Sequence, residues 1–476
     1  MRQPLYLALD QGGQSTRATI FDESGIAVAR AAVPVGQTST GDLRVEQDPE
    51  ELVASLQLAA ERALRILGTD CSMQIAAAGL ATQRSSMVCW DSRTGQALSP
   101  VLSWQDRRAA ALMPAYRDHA FLIAERTGLR LSPHYGAPKM RWCLDNLPAV
   151  QAARKAGHLV MGPLASFLAF RCVTPQPLVA DPSNAGRTLL WGRKRQDWDP
   201  ELLDIFDIPR GVLPLCSPSH QRFGGVKAGG GLVPLTILTG DQGAALFCQG
   251  RPRPDTIYIN MGTGAFLQRL VPRQGVDRGR LLWSVAVRHG QEDINVLEGA
   301  VSGAGAALAW GAQTLPYRDL AKQCDRLLAS QEARPLFLNT IGGLGSPYWR
   351  PDAVARFEGV GTPAAKAAAI IESIIFLIHE NIEAICAASG PCLALVVTGG
   401  LAASGGLCQA LANLSGLIVR RPSEHEATAR GLAFLAADMP HDWPAGGDEH
   451  VFWPNDDEPL HERHERWRAL MPSPHG

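Results

Sequence analysis

Asp10 is the first residue of this chain whose type and position suggest chemistry. It closes the apolar run "LYLALD" and is followed by Gly12 and Gly13. Glycines let the backbone come close to a bound group, and a carboxylate beside the free N–H groups can hold the Mg²⁺ that accompanies phosphates. Three further donors for phosphate oxygens follow directly: Ser15, Thr16 and Arg17. We therefore predict a phosphate and metal site here, with a plain hairpin turn and a solvated acid as the alternative.

Asp241 occupies an equivalent place later in the chain. In "LTILTGDQGAALF" an apolar run leads into Gly240, and small residues that can start a helix follow Gln242. A carboxylate at such a point can accept the proton of a substrate hydroxyl as that hydroxyl attacks a phosphoryl group. The alternative is an aspartate that only caps the helix.

A second glycine turn resembles the first one. The segment "TIYINMGTGAFLQRLV" has a β-rich run, then Gly262, Thr263 and Gly264, and then a second β-rich run, as residues 5–21 do. The two segments lie about half a chain apart. Similarity at this period indicates two related domains that each begin with a glycine-turn hairpin, although two unrelated hairpins can also look alike.

A third glycine-rich segment follows a long amphipathic helix that ends before Gly390. A strand, "LALVVTGG", leads to Gly399 and Gly400, and a further helix starts near Ser404. Backbone N–H groups at such a helix start are available to an anion or a nucleotide. The P-loop pattern is absent from the sequence, and the dinucleotide fingerprint does not apply because a strand, not a helix, follows the first glycine turn.

Local patterns predict the elements around these residues. Asp48 and Pro49 should start a helix, and residues 75–91 should form a strand pair around a polar tip. Residues 95–113 should run from a loop into a helix that carries Arg107 and Arg108. The pattern assigns nothing to the tail after residue 437.

Composition narrows the classes of function. The chain has 476 residues, with 45 Lys and Arg against 46 Asp and Glu, so we expect two domains and no nucleic-acid or membrane-surface partner held by bulk charge. No apolar run reaches the roughly 18 residues of a membrane span. The ten cysteines are scattered without a C-x-x-C pair, which favours free thiols and a cytoplasmic location.

Seven segments in order resemble the FGGY carbohydrate kinases, and among these the glycerol kinases. They are residues 10–22 (DQGGQSTRATIFD), 80–91 (LATQRSSMVCWD), 103–108 (SWQDRR), 239–247 (TGDQGAALF), 261–266 (MGTGAF), 342–349 (GGLGSPYW) and 398–431 (TGG to ATARG). The resemblance covers residues 5 to about 437. It implies an α/β fold with two actin-like, Hsp70-like (ribonuclease H-like) ATPase domains flanking a nucleotide cleft, here residues 1–245 and 246–476.

The resemblance also implies roles for single residues. Asp241 would be the catalytic base, and Asp10 and Asp241 would hold Mg²⁺. The implied polyol or ketose pocket comprises Arg84, Ser85, Trp104, His134, Asp241, Gln242 and Phe266. The implied ATP-binding residues are Gly12, Gly13, Ser15, Thr16, Arg17, Gly262, Thr263, Gly264, Gly399, Gly400 and Ser404.

Some positions depart from the glycerol kinase pattern. Ser85 stands where a glutamate is usual, and His134 stands where a tyrosine is usual. Gly13 replaces a common threonine, Ala165 replaces a frequent aspartate, and the adenosine motif lacks its asparagine. The substrate therefore stays open between glycerol, a tetritol such as erythritol, and a pentulose such as xylulose or ribulose. A sugar-sensing protein without turnover is a further alternative, and a homodimer is a possible assembly.

Overall fold

The computed structural model describes residues 3–41, 43–68, 75–228, 230–423, 426–444 and 448–473. Two compact units divide the chain. Unit 1 comprises Met1–Arg251, Ser284–Asn295 and Glu426–Gly446, and unit 2 comprises Pro252–Trp283, Val296–His425 and Gly447–Gly476. The chain thus returns twice to unit 1 after first leaving it. The division at residue 245 stays a prediction; the compact units are built from interleaved segments.

The strands in chain order are β1 (Leu5–Gln11), β2 (Ser15–Phe21), β3 (Ala27–Pro34), β4 (Thr38–Thr40), β5 (Arg44–Gln47), β6 (Ile75–Thr82), β7 (Met87–Asp91), β8 (Val101–Leu102), β9 (Leu159–Pro163), β10 (Val173–Thr174), β11 (Val179–Ala180), β12 (Trp191–Gly192), β13 (Asp197–Trp198), β14 (Leu215–Cys216), β15 (His220–Ala228), β16 (Gly231–Gly240), β17 (Thr256–Met261), β18 (Ala265–Val271), β19 (Leu282–His289), β20 (Glu292–Val301), β21 (Leu336–Leu338), β22 (Arg356–Glu358), β23 (Ala394–Thr398), β24 (Ile418–Pro422) and β25 (Glu449–Phe452).

The α-helices are α1 (Pro49–Leu67), α2 (Ala120–Thr127), α3 (Gly136–Asn146), α4 (Pro148–Lys155), α5 (Leu164–Cys172), α6 (Pro182–Ala185), α7 (Pro200–Phe206), α8 (Asp241–Ala245), α9 (Gly305–Thr314), α10 (Cys324–Leu328), α11 (Pro363–Ser389), α12 (Gly405–Ser415), α13 (Ala427–Ala436) and α14 (Glu458–Leu470). Short 3₁₀ helices cover Arg108–His119, Arg210–Val212, Ala321–Gln323 and Gly400–Ala403.

The main sheet of unit 1 has the strand order β3-β2-β1-β6-β16-β15. Strand β1 is antiparallel to β2 and parallel to β6, and β6 is parallel to β16. Asp10 lies opposite Ala81 of β6, and Gly240 lies opposite Thr82. The carboxyl ends of β1, β6 and β16 therefore meet at one edge of the sheet, where α/β proteins commonly bind ligands.

Unit 2 repeats this arrangement in the order β20-β18-β17-β23-β24-β25. Strand β17 is antiparallel to β18 and parallel to β23, and β23 is parallel to β24. In each unit, the first strand of the glycine-turn hairpin thus lies between its antiparallel hairpin partner and a parallel strand. The predicted internal repeat is confirmed.

Burial of apolar faces holds the hairpin of unit 1 in place. Leu7 and Leu9 of β1 are fully buried, as is Leu56 of α1, which packs on β2 and β3. Helix α1 begins as predicted, because the Asp48 side chain accepts the N–H of Glu50 and a proline occupies the first turn. Helix α13 also packs on β1 and β6. The strand that carries Asp10 is therefore rigid.

Two local predictions were wrong in part. Strands β6 and β7 do not pair, because Ser85 adopts a positive φ of 65° and turns the chain away. Strand β7 instead belongs to a separate sheet, β4-β5-β8-β7-β9. The helix after Arg107 is 3₁₀ over Arg108–His119, with Pro114 inside it, because proline cannot donate an α-helical hydrogen bond.

The tail after residue 437 is structured where the structure describes it. Strand β25 extends the sheet of unit 2, and α14 packs through Trp467, whose indole N–H donates to the carbonyl of Phe337 at 2.9 Å. The nine cysteines among the described residues are all free, as predicted. Within the described residues, no helix combines the length and the apolar character that a membrane crossing requires.

Candidate active site

Asp10 lies in a buried and acidic environment in unit 1. Only 8% of the residue is exposed, and its carboxylate faces the Arg17 guanidinium across the hairpin at 3.7 Å. Burial first, and then the charge of Asp241, raises the pKa of Asp10 to about 7, while Arg17 opposes this shift. A buried acid that is held near a second acid is an arrangement typical of functional sites.

The glycine turn after Asp10 closes on itself through the backbone. The N–H of Gly12 donates to the carbonyl of Ser15 at 3.0 Å, and Gln47 donates to the carbonyl of Gly13 at 3.1 Å. Gly12, Gly13 and Ser15 all remain partly exposed. The backbone of this turn is therefore accessible to a phosphate group.

Thr16 points the other way. The residue is fully buried, and its hydroxyl lies 2.6 Å from the Ser55 hydroxyl of α1. Adjacent strand residues face opposite sides of a sheet, so Thr16 cannot share the face of Arg17, which lies beside Asp10. The structure therefore corrects the expectation for Thr16: its hydroxyl joins the hairpin to α1 and is not turned toward a phosphate.

Asp241 begins α8 directly after β16. Its Oδ1 accepts the N–H of Gln242 at 2.7 Å, so the carboxylate is held at the helix start. Burial raises the pKa of Asp241, and the charge of Arg84 opposes this increase. The N-cap of α8 is Gly240, and Asp241 is the first residue of the helix, so its carboxylate supports the helix start without being the cap.

Arg84 reaches Asp241 because Gly240 has no side chain. A methyl group at Gly240 would lie 2.4 Å from Cγ of Arg84 and 2.8 Å from Oγ of Ser183, both closer than contact allows. Burial lowers the pKa of Arg84, while Asp241 raises it. The glycine before the aspartate therefore serves the packing of the arginine stem.

Sequence reasoning missed a polar cluster beside these residues. Arg187 is buried, hydrogen-bonded to Tyr135, and within electrostatic reach of Asp241; burial, followed by Arg84, lowers its pKa to about 9. Asp181 is fully buried, accepts N–H groups of Ser183 and Asn184, and has a pKa that burial raises to about 7. No pattern in the segment "DPSNAGR" marks these residues as neighbours of Asp241, because only the fold brings them there.

Glu426 is a second residue that the sequence did not single out. Its carboxylate accepts the Thr19 hydroxyl at 3.0 Å, and its charge raises the pKa of Asp10. Glu426 precedes α13, whose Thr428 hydroxyl donates to the backbone carbonyl of Asp241 at 3.4 Å. A segment from late in the chain thus adds a third acid to the site.

Ser85 and Trp104 lie on loops that a buried lysine connects. The ammonium of Lys139 donates to the carbonyl of Ser85 at 3.1 Å and to that of Ser103 at 2.6 Å. Trp104 is 37% exposed, and its backbone N–H donates to the Ser86 hydroxyl. Burial lowers the pKa of Lys139 to about 7, and the charge of the nearby Asp106 opposes this shift.

His134 is exposed on the loop before α3. Its Nδ1 lies 2.9 Å from the Ser132 hydroxyl, which orients the ring. The next residue, Tyr135, is buried and contacts Arg187. The loop therefore presents one aromatic ring to the interior and one to solvent.

In unit 2 the second glycine turn is held by α9. The N–H of Gly262 donates to the carbonyl of Gly264 at 2.8 Å, and α9 donates to the turn through the N–H of Gly305 and of Ala306, which reach the carbonyls of Gly262 and Thr263 at 3.0 and 2.9 Å. Gly262 and Thr263 are exposed. Phe266, half-buried on β18, lies opposite Asn260 of β17.

The third glycine segment lies at the end of β23. Gly399 has a φ of 89°, and a methyl group there would lie 2.5 Å from the carbonyl oxygen of Met261, so only glycine fits. Gly400 is exposed, with open space above it. Ser404 is buried as the N-cap of α12 and donates to Asp325 at 2.6 Å, so its hydroxyl is already engaged within unit 2.

Comparison with known proteins covers almost the whole chain. Residues 5–248 match the N-terminal domain of the FGGY family of carbohydrate kinases, and residues 257–438 match the C-terminal domain of that family. The chain is 37% identical over 455 residues to a glycerol kinase from Methylobacterium nodulans, covering 91% of this chain and 89% of that protein. It is 34% identical over 454 residues to a glycerol kinase from Rhodospirillum rubrum, covering 91% and 90%.

Solved structures share the fold. A Plasmodium falciparum glycerol kinase with ADP superimposes with a TM-score of 0.87 at 22% identity, covering 99% of both chains. A xylulose kinase from Rhodospirillum rubrum gives a TM-score of 0.83 at 20% identity, covering 98% of both. The predicted two-domain α/β kinase fold and the predicted ATP dependence are confirmed. The chain belongs to the FGGY family of carbohydrate kinases and is an ATP-dependent phosphotransferase.

Proposed function

We propose that this kinase phosphorylates a hydroxyl of a small polyol or ketose bound at the carboxyl ends of β1, β6 and β16, with Asp241 as the general base. The observation that carries the proposal is the position of Asp241 at the start of α8, directly after β16 and within electrostatic reach of the partly buried Arg84 and the buried Arg187. The arginines favour the anionic form of Asp241, which can then accept the proton of the attacking hydroxyl. Their guanidinium groups can also donate to other substrate hydroxyls.

Further residues complete the proposed sites. Trp104, Gln242 and Phe266 would line the substrate. The turns at Gly12 and Gly13, at Gly262–Gly264 and at Gly399–Gly400 would bind the nucleotide, the first with Ser15 and Arg17. These assignments rest on exposed backbone at strand ends together with the family's ATP dependence.

We further propose that Mg²⁺ binds beside Asp10 and Asp241. Burial and the charge of Asp241 make ionisation of Asp10 costly, and the charge of Glu426 adds to this cost. A divalent cation would relieve the repulsion, and carboxylates are the ligands that Mg²⁺ prefers. The ion would neutralise charge on the transferred phosphoryl group.

An ADP-release assay over glycerol, erythritol, ribulose and xylulose tests the proposed function. We expect ATP- and Mg²⁺-dependent ADP formation with at least one of these substrates, and a mass increase of one phosphate on the sugar. An Asp241→Asn preparation, purified in parallel, controls for contaminating kinases. Binding of a sugar without ADP formation would support the sugar-sensing alternative instead.

The substrate pocket supports a more specific proposal, a substrate with four or five carbons. Ser85 is shorter than the usual glutamate and uncharged, and His134 reaches less far than a tyrosine and is turned toward Ser132. Both changes enlarge one end of the pocket, and Ser85 in place of glutamate removes a charge-assisted hydrogen bond, worth about 1.5–3 kcal/mol, to a glycerol hydroxyl. The similarity to glycerol kinases favours glycerol, so this proposal needs a direct comparison.

The comparison is kcat/KM for glycerol against erythritol, ribulose and xylulose on one preparation. We expect a longer substrate to exceed glycerol, and we expect Ser85→Glu to shift the preference back toward glycerol. A tenfold or greater advantage of glycerol in the wild-type enzyme would refute the enlarged pocket while leaving the kinase proposal intact. A cytoplasmic location and a homodimer remain predictions.

A further inference from the structure

Three side chains with metal-binding atoms meet in unit 1 and have no role in the site described above. They are His220 at the start of β15, His289 at the end of β19, and Asp438 just after α13. Their ligand atoms all lie within 4.8 Å of one another. This histidine–aspartate cluster brings together one residue from each of the three chain segments of unit 1.

The backbone sets the two imidazoles side by side. His220 and His289 are register partners on the parallel pair β15 and β19. Their rings stack with centroids 4.3 Å apart and planes inclined by only 7°. Equivalent register positions on neighbouring strands project to the same face, so both rings lie on one side of the sheet, and one ring would have to rotate for both to bind a single ion.

Asp438 approaches His289 from another element. Its Oδ1 lies 2.8 Å from Nε2 of His289, at hydrogen-bond distance. The residue has a φ of 63°, and its N–H donates to the carbonyl of Leu435 at 3.1 Å, so the end of α13 holds its backbone. Metal–nitrogen and metal–oxygen bonds of about 2.0–2.2 Å place two ligands of one tetrahedral ion about 3.4 Å apart. The ion would therefore replace the His289–Asp438 hydrogen bond after a small separation of the two side chains.

The state of His220 fits the same role. Neither of its ring nitrogens has a hydrogen-bond partner within the described part of the chain. An imidazole nitrogen with an unused lone pair can bind a metal ion.

We propose that His220, His289 and Asp438 bind one divalent late first-row transition metal ion, with Zn²⁺ as the reference ion. Two imidazoles and one carboxylate suit this class of ion, and water would complete the coordination. The ion would be structural. It would tie the two returning segments of unit 1 to strand β15 and so stabilise the folded state by mass action.

The test uses the untagged full-length chain after treatment with EDTA and dialysis. Zinc binding is measured by titration calorimetry, and melting temperature is measured with and without zinc. We expect one zinc ion per chain and a rise in melting temperature for the wild type. His220→Gln and His289→Gln should each weaken zinc binding at least tenfold and lose the thermal shift.

A matched control and a second variant keep the outcome clear. His119→Gln removes an exposed histidine outside the cluster and should leave zinc binding unchanged. Asp438→Asn, at an exposed position, tests the cluster should either histidine variant fail to fold. Equal zinc binding by the wild type and the cluster variants, or no binding by the wild type at micromolar zinc, would overturn the proposal.

Discussion

Replacing Asp241 by asparagine removes the carboxylate charge and leaves the shape of the side chain nearly unchanged. The oxygen of the introduced amide can still accept the Gln242 N–H that Oδ1 of Asp241 accepts at 2.7 Å, so the start of α8 should persist. What is lost is the proton acceptor beside Arg84. The substitution therefore separates the catalytic interpretation of Asp241 from the capping interpretation.

The magnitude follows from the proposed role. General-base assistance typically contributes about 10² to 10⁴ in rate, which corresponds to about 2.7–5.5 kcal/mol of barrier. Because Arg84 and Arg187 would remain to bind the sugar, the loss should appear in kcat more than in KM. Affinity for the nucleotide without Mg²⁺ should stay nearly unchanged, since the base acts on the hydroxyl and not on ATP, whereas affinity for Mg²⁺ should fall because Asp241 is also a proposed ligand of the ion.

The assay is coupled ADP release with saturating ATP and the best substrate, together with nucleotide binding by calorimetry. Asp48→Asn is the matched control, because it makes the same change at an N-cap whose side chain accepts the N–H of Glu50 and lies outside the site. Asparagine caps helices as well as aspartate, so this control should keep full activity. A variant at position 241 that keeps more than a third of wild-type kcat would show that Asp241 only supports the start of α8.

Three further predictions follow from the geometry of unit 1. Asp10→Asn should stabilise the protein at pH 8 in urea unfolding, because burial raises the pKa of Asp10 to about 7. The folded state then binds more protons than the unfolded state between pH 3.8 and about 7. The wild-type free energy of unfolding therefore falls as pH rises through that window, by at most about 4 kcal/mol. If Asp10→Asn stabilised the protein equally at about pH 4 and at about pH 8, the raised pKa would be contradicted. Gly240→Ala should lower kcat/KM for the sugar by about tenfold or more, since its methyl group would displace the stem of Arg84, and an unchanged kcat/KM would disprove that contact. Thr16→Val should lower the free energy of unfolding by about 1–2 kcal/mol through loss of the Ser55 hydrogen bond, yet leave the KM for ATP unchanged; a raised KM would restore Thr16 to the phosphate site.

The sequence alone was sufficient for features that depend on neighbouring residues. The hairpin that carries Asp10 follows from apolar alternation on both sides of a glycine turn, and α1 follows from the Asp48–Pro49 start. The position of Asp241 between a strand and a helix is predicted in the same way, from an apolar run that leads into small residues. These are local preferences of the backbone, so they can be recognised without knowledge of the fold.

Side-chain direction required the tertiary structure. Thr16 and Arg17 are adjacent donors in the sequence, but packing of α1 against one face of the hairpin buries the first and leaves the second beside Asp10. Likewise β6 and β7 look like one strand pair, although the positive φ of Ser85 sends them into different sheets. A pattern of residue types contains the alternation but not the identity of the covered face.

Long-range assembly is what only the fold decided. Arg187 and Glu426 reach the neighbourhood of Asp241 and Asp10 because distant strands and α13 pack on one sheet, and no local signal marks them as partners. The meeting of His220 with His289 depends in the same way on the pairing of β15 with β19. Such contacts arise where burial of apolar surface brings remote segments together, which is a property of the whole chain and not of any short stretch of it.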